Sequence, residues 1–552
     1  MKKVLSPVPF FDDTMLEVLR GVSERYVAPL ASVIGRAVPP RVVSEEARWA
    51  GAWGAEVPGG LRRASPPPNP RLRPPGTSLG PPALSSDLFS RYRDGDALLS
   101  SMRHAWPSMF LLRVAPEDEV TLAVEAVRTC LLARRRALVI VPEAVPLPAT
   151  AAGLVEAFGD RVAVFLGGDK RTRYSMWLDI LGGRYDVVVG TRPAVFAPVG
   201  DLGLVYVSRE SHTSHREDRA PYYHVRDVAI DRARSAGAVC VLSAICPSTE
   251  AAALQATVVE PLARAWPPVE VVRPGPEGRA PRLIRALADT KRGFVYAPLP
   301  GAGIAAVCRS CGSPAACAAC GGVLRMEEGV VTCVVCGAEG RCAVCGAPRF
   351  AIRPGGAERV EAWASRSAPV PVRRVAGARA RLPRGDEILV GGADAVKDLG
   401  TGALDLVAIL DADMGARRPG LAGREQALTT WMEAVSWARP HGRAIVQSDQ
   451  PGDPAIQAVV RGNPERFHRD EIARRRDAGF PVGAAVFRVV GTSALEASLR
   501  ELSPHTLLVS GAGDATVCLL ALDARAVPAF GRLARELAAA QVLTRVEAEP
   551  HL

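Results

Sequence analysis

Cys308-Arg-Ser-Cys311-Gly312, Cys317-Ala-Ala-Cys320-Gly321, Cys333-Val-Val-Cys336-Gly337 and Cys342-Ala-Val-Cys345-Gly346 hold eight of the chain's twelve cysteines. The intervals between successive units are five, twelve and five residues, a palindrome. A Cys-x-x-Cys turn aims two thiolates at one point, and the glycine after it can take the positive φ that turns backbone N–H groups toward sulfur. Two such turns complete one tetrahedral zinc set, so four complete two. The segment Gly321-Gly-Val323-Leu-Arg-Met326-Glu-Glu-Gly329-Val330-Val331-Thr332 reads as a β-hairpin. A hairpin there groups Cys317, Cys320, Cys333 and Cys336, and the nested outer set is Cys308, Cys311, Cys342 and Cys345. Sequential pairing is the alternative. All-thiolate sets leave no position for water, which points to structural rather than catalytic zinc. Each site would contribute about 10 kcal/mol or more to folding an insert with few other apolar residues. A disulfide knot fits less well, since the spacing is regular and no feature suggests secretion.

A chain of 552 residues needs two to four cores. It is 48% hydrophobic, and no run of 18 apolar residues or signal-type segment occurs, so a soluble, cytoplasmic protein with no membrane partner is expected. Cys130, Cys240, Cys246 and Cys518 sit in apolar surroundings and read as reduced core thiols. The formal charge of +10 favours a polyanionic partner. Only Lys2, Lys3, Lys170, Lys291 and Lys397 are lysines, which reads as a composition bias rather than a recognition feature. Aromatic content of 5% offers no obvious base-stacking platform.

Residues 8–41 carry apolar periodicity suited to one or two helices, with Asp12, Asp13 and Thr14 placed to cap the first. Residues 55–86 hold nine prolines, four arginines and one glutamate and read as a linker. From 87 to 280, apolar runs such as Ala137–Val141, Val162–Leu166, Leu204–Val207 and Ala238–Leu242 alternate with helical patterns, which implies a parallel sheet. A second alternating region spans 281–482, interrupted by the cysteine insert at 305–350. Residues 483–552 read as a small α+β domain. Two consecutive α/β lobes with a zinc insert in the second suggest a two-lobed motor of helicase type; such a fold alone gives no activity.

The cysteine pattern and its place at the start of the second lobe resemble the primosomal protein N′ (PriA) replication-restart helicase family, over most of the chain. Val139-Ile-Val-Pro142-Glu143 is similar to the family's motif after the nucleotide strand. Gly190-Thr191-Arg192-Pro-Ala194-Val-Phe196 resembles its Gly-Thr-Arg-Ser-Ala-x-Phe segment. Tyr223-His224-Val-Arg226-Asp227, Ser243-Ala244-Ile-Cys-Pro247-Ser248, Leu410-Asp411-Ala412-Asp413, Glu471-Ile472-Ala-Arg474 and the closing Glu549-Pro550-His551-Leu552 resemble further family segments. Lys397 lies where the family has a DNA-contacting motif and reads as a solvated residue.

That family hydrolyses ATP, and here the sequence departs from it at three places. The nucleotide loop corresponds to Leu111-Leu-Arg-Val-Ala115-Pro116-Glu117-Asp118-Glu119-Val120-Thr121. It has no glycine, Val120 stands where the phosphate-binding Lys belongs, and three carboxylates would repel a triphosphate. After Leu204–Val207, the Asp-Glu pair that holds Mg²⁺ is replaced by Ser208-Arg209-Glu210, so one Glu survives and the metal Asp does not. In the second lobe, Trp437 and Pro440 stand at the two arginine positions that meet the γ-phosphate. His212 beside the altered metal motif reads as structural. The resemblance matches residues 4–40 to the opening helices of the family's winged-helix region, so 1–54 would be a partial winged-helix-type N-terminal region, with the β-rich 3′-end-binding domain that precedes it in the family either lost or left out by a late start.

The resemblance therefore implies a degenerate member: an α/β protein of two RecA-like lobes with a zinc-binding insert and a small C-terminal α+β domain. It would hold two Zn²⁺ per chain, with ATP and Mg²⁺ doubtful and no catalytic or cofactor-binding residue assigned. It would bind forked or single-stranded DNA at stalled forks, near the nucleoid. There it would support primosome assembly with the replicative helicase, its loader and single-stranded DNA-binding protein. The competing expectations are an active ATP-dependent 3′→5′ DNA helicase, and a zinc-ribbon adaptor that does not bind DNA.

Overall fold

A computed structural model describes residues 6, 8–52, 86–263, 266–275, 278–298, 304–313, 315–319, 324–327, 330–333, 337–353, 357–416, 420–512 and 515–550. The Pro/Arg-rich linker expected at 55–86 falls, but for its last residue, outside them. The chain divides into two compact units, one of Met1–Val114, Asp118–Ala263 and Glu471–Pro550, the other centred on Arg264–Asp470.

The first unit is built on β1 (Tyr92–Arg93), β2 (Met109–Arg113), β3 (Arg136–Ile140), β4 (Val162–Phe165), β5 (Val187–Gly190), β6 (Leu202–Val207), β7 (Val239–Ala244) and β8 (Thr257–Pro261). Their order is β1-β8-β2-β7-β6-β3-β5-β4. All neighbours are parallel except β1 and β8. Every residue of β6 and β7 is buried, as a parallel strand covered on both faces requires. Three N-terminal helices, Asp13–Arg25, Leu30–Ala37 and Val43–Ala52, belong to the same unit. Asp12 caps the first by accepting from the Met15 N–H at 2.8 Å.

The second unit carries a parallel sheet of β9 (Val269–Val272), β10 (Arg292–Tyr296), β15 (Val372–Arg374), β16 (Glu387–Gly391), β17 (Leu404–Ile409) and β18 (Ala438–Gln447), ordered β15-β16-β10-β17-β18-β9. Between β10 and β15 the chain leaves this sheet to form an antiparallel one from β11 (Ile304–Cys308), β12 (Leu324–Glu327), β13 (Val330–Cys333) and β14 (Phe350–Arg353), ordered β13-β12-β11-β14. The fold is thus α/β, with one parallel sheet in the second unit interrupted by an antiparallel insert that carries the cysteines.

The C-terminal strands β19 (Ala485–Gly491), β20 (Thr506–Ala512), β21 (Ala515–Leu522) and β22 (Leu543–Ala548) form an antiparallel sheet ordered β20-β21-β19-β22. It does not stand on a core of its own. Phe487, Val489, Leu520 and Phe530 join one hydrophobic cluster with Val18 and Leu19 of the first helix and Leu138 and Val205 of the first sheet. No helix among the described residues is long and apolar enough to cross a membrane.

Candidate functional site: a cysteine cluster and a refilled turn

Three of the Cys-x-x-Cys units fold alike. The N–H of Gly312 reaches the Cys308 carbonyl at 2.9 Å, that of Gly337 the Cys333 carbonyl at 3.0 Å, and that of Gly346 the Cys342 carbonyl at 2.8 Å. The three glycines have φ of 73°, 70° and 72°, values open to glycine without strain. In the first and last of these turns an N–H lies over sulfur: Ser310 donates to Cys308 Sγ and Val344 to Cys342 Sγ, both at 3.4 Å. Strands β11 and β14 pair Cys308 with Phe350, which returns the second half of the insert to the first. The thiols of Cys308, Cys311, Cys342 and Cys345 consequently lie within 4.8 Å of one another.

This set fits zinc. Sγ atoms of Cys308 and Cys345, and of Cys311 and Cys342, are 3.6 Å apart, too far for a disulfide. A sulfur tetrahedron with Zn–S bonds of ~2.3 Å has edges of about 3.8 Å. The crowded sulfurs pull their neighbours in opposite directions. Amide donors, Cys311 N–H first, lower Cys308. The Ser313 hydroxyl and amide bring Cys311 down to about 6. Cys345 moves the other way: the Ala347 amide pulls it down, but the neighbouring thiol groups outweigh that and push it to about 12. Four thiolates share this volume only around a cation, and a bound zinc would supply that charge and tie the insert's ends together. Of the inner set, Cys317 and Cys333 are buried in the same small cluster with Leu324 and Phe350; Cys320 and Cys336 lie outside the described residues. The expected hairpin is formed by β12 and β13, in register Glu327 to Val330 and Leu324 to Cys333.

Strand β2 ends at Arg113, and a short 3₁₀ turn at Pro116–Asp118 leads into the helix Glu119–Leu132. Repulsion by three carboxylates does not describe this turn. Glu119 accepts from Arg209 Nε and Nη2, each at 2.8 Å, and the two side chains are 3% and 1% exposed. Asp118 accepts from Arg91 at 2.8 Å and from the Tyr92 hydroxyl at 2.9 Å. Of the three acids only Glu117 faces solvent. Val120 Cγ1 occupies the space a Cβ on residue 153 would need, so glycine at 153 lets the helix Ala149–Phe158 pack against it.

Glu210, the survivor of the acidic pair, is fully buried and engaged. It accepts from the Ser248 hydroxyl at 2.7 Å, the Ser248 N–H at 3.1 Å and Arg226 at 3.0 Å. His212 caps the next turn by accepting from Ser214 N–H at 3.1 Å. His215 contacts the Ser208 carbonyl at 2.8 Å, and burial lowers it to about 4. Arg226 also meets Asp227 at 3.2 Å, and Asp227 accepts from the Tyr26 hydroxyl at 2.7 Å.

No family model matches the chain. Among curated proteins it is 29% identical over 408 residues to the "Probable replication restart protein PriA" of Mycobacterium leprae, covering 67% of this chain and 62% of that protein. It is 26% identical over 555 residues to the Mycobacterium tuberculosis (strain CDC 1551 / Oshkosh) protein of the same description, covering 91% of this chain and 78% of that one. The Bacillus subtilis "Replication restart protein PriA" matches at 26% over 425 residues, with 68% and 52% covered. Matches of this breadth support assignment to the PriA replication-restart family. It spans 62% of the length of the M. leprae relative. Among solved structures, the Escherichia coli DEAH/RHA helicase HrpB superposes with a TM-score of 0.36 at 14% identity, over 65% of this chain and 43% of that one. A DEAD box protein from Methanococcus jannaschii gives 0.34 at 11%, over 68% and 89%.

The segments that resemble the PriA family take up structural duties in this chain. Arg192 donates to the carbonyls of Ser214 and Arg216, at 2.8 and 2.5 Å. Arg475, one residue beyond the matched Arg474, bridges Glu250 at 2.6 Å and Glu471 at 2.8 Å. In the second unit, Asp411 (φ 47°) accepts from Gln447 at 3.1 Å, and Asp413 from Ser448 at 2.6 Å. Trp437 is buried and packs edge-on against Phe294 with ring centroids 4.9 Å apart. Pro440 is exposed, and neighbouring Arg439 is ion-paired with Asp405. Lys397 is half-buried. The residue that sequence reasoning missed is Arg209. No local signal marks it, because its partner Glu119 lies 90 residues away along the chain.

Proposed function

We propose that this chain acts in replication restart as a DNA-binding member of the PriA family that does not hydrolyse ATP. Its two parallel-sheet units correspond to RecA-like lobes, and it binds forked or single-stranded DNA at stalled forks. It supports primosome assembly there, including loading of the replicative helicase, with the helicase loader and single-stranded DNA-binding protein as partners. Two structural zincs hold the insert, on Cys308, Cys311, Cys342, Cys345 and on Cys317, Cys320, Cys333, Cys336.

The Glu119–Arg209 pair carries the reading. Nucleotide hydrolysis needs a flexible N–H cradle, a Lys on the phosphates and a carboxylate on Mg²⁺. Here Pro116 removes one N–H, Val120 is packed against a helix, and the cation that arrives after β6 is neutralised by the acid of the turn. A triphosphate entering would have to strip Glu119 from Arg209, and breaking a buried pair leaves an uncompensated charge at a cost of about 3–5 kcal/mol. DNA affinity rests on the net charge of +10 and on family membership.

The test is a pair of measurements on the zinc-loaded chain. Binding to a model fork should weaken steeply with salt, because phosphate contacts release counterions. ATP turnover should stay at the no-enzyme level with and without the fork. Fork-stimulated hydrolysis above that level would establish the helicase alternative. Salt-independent or absent fork binding would leave the adaptor alternative.

A further inference from the structure

Strand β20, Thr506-Leu-Leu-Val-Ser-Gly-Ala512, is the outer strand of the C-terminal sheet, and among the described residues its one strand partner is β21. It carries no charged side chain, in a chain with 68 Lys+Arg and 58 Asp+Glu. Leu508 and Val509 are exposed, at 55% and 39%. Successive strand residues point to opposite faces, so the rim is apolar on both faces at one place. The other edge, β22, is guarded in the ordinary way: Arg545 and Arg488 flank Glu547 at 3.4 and 3.8 Å.

We infer that β20 is a self-pairing edge, across which two copies of this chain join their C-terminal sheets. A closed two-fold contact uses the same patch on both partners. Antiparallel strands related by such an axis must oppose residues that share a face, so the axis passes through a residue and not between two. Centred on Leu508, the register sets Leu508 against Leu508, Leu507 against Val509 and Thr506 against Ser510. The Leu508 pair and the Leu507–Val509 pairs then match apolar with apolar, the combination that stabilises cross-strand neighbours, while the Thr506 hydroxyl stays bonded to the Gly479 carbonyl of its own chain at 2.7 Å. Centred on Val509, it sets Leu508 against Ser510 and Leu507 against Gly511, which match poorly.

Charge selects a second copy as the occupant. A charge near the axis would meet its own like, and β20 has none; nor has it an ion to steer a charged peptide. The guarded β22 edge stops growth at two. Seven-residue strands bury well under the ~1,200–2,000 Å² of stable complexes, so the dimer is weak and concentration-dependent. The inference stands apart from the nucleic-acid reading.

Sedimentation velocity on the full zinc-loaded chain, from about 1 to about 100 µM, tests it. Expected is a monomer–dimer shift that Leu508→Lys moves to at least about tenfold higher concentration, since it sets like charges opposite each other. A mixture of Leu508→Lys and Leu508→Glu chains should dimerise more readily than either alone, a gain that misfolding cannot give. Under mild oxidation Leu508→Cys should crosslink to itself and Gly511→Cys should not. A chain that stays monomeric throughout, a dimer indifferent to Leu508→Lys, or equal crosslinking at 511 would overturn the proposal.

Discussion

Arg209, just beyond the end of one strand, grips both carboxylate oxygens of Glu119, at the start of a helix, at 2.8 Å each, with both side chains out of water. Neither charge is tolerable there alone. The desolvation cost of two buried ions is offset only while the geometry is bidentate.

Removing one member should therefore hurt more than removing both. Arg209→Met alone is expected to destabilise by about 3 kcal/mol or more, and Glu119→Gln with Arg209→Met to recover most of that loss. Urea denaturation of the two singles and the double closes the cycle. Additive losses would mean that the pair is not coupled.

Contact between Val120 and residue 153 gives a second, uncharged test of the same turn. Gly153→Ala should cost about 1–3 kcal/mol by overpacking, and Val120→Ala should relieve it in the double variant. Thermal melts are sufficient; an unchanged midpoint in Gly153→Ala would show that the helix is not held against Val120.

Zinc content reads the nested pairing directly. The intact chain should carry two ions, as measured by mass spectrometry of the metal. Cys308→Ser and Cys345→Ser should each remove one, and the double substitution no more than either single, because both serve one set. Amide exchange in β11 and β14 should rise sharply on chelation, since metal binding here is folding energy. A double variant that loses two ions points to sequential pairing.

Acid–base behaviour should centre on Glu549. Burial, with Asp227 adding to it, pushes this carboxyl to about 7. Burial also pushes Asp227 up, but Arg226 and Arg25 outweigh it and bring Asp227 to about 2. Arg226, Arg216 and Glu250 also bear on Glu549. Its folded value lies above the unfolded 4.5, so its contribution is intact below about 4.5 and is lost as pH rises through about 7. Asp227 acts oppositely, stabilising above 3.8 and failing only toward 2. Glu549→Gln should thus raise the melting temperature at pH 8 and leave it nearly unchanged at pH 5. A gain of equal size at both would exclude titration as the cause.

Much of the architecture was legible because its signals are local. Strands such as Leu204–Val207 are unbroken apolar runs, as burial on both faces demands. The outer cysteine set was legible because Cys-x-x-Cys-Gly dictates its own turn. Strands at the rims were not: β8 and β9 carry Glu260 and Glu270 and are largely half-exposed, so they lack an apolar run. Nor could local pattern show that Phe487 and Phe530 share a core with Leu138, or that the acids of the turn are matched by Arg91 and Arg209. Those facts are long-range, and three carboxylates in a row read as a repulsive cluster until their partners are known.

Finally, β11 and β14 lie side by side, so the chain departs for the cysteine insert and comes back through adjacent strands. An excursion whose two ends touch behaves as a cassette. It can be lengthened, exchanged with a relative's or replaced by a short turn, while β10 and β15 keep their places in the parent sheet. Evolution can remodel such a cassette at a rate of its own, and a protein engineer can graft it onto any scaffold that offers two neighbouring strand ends.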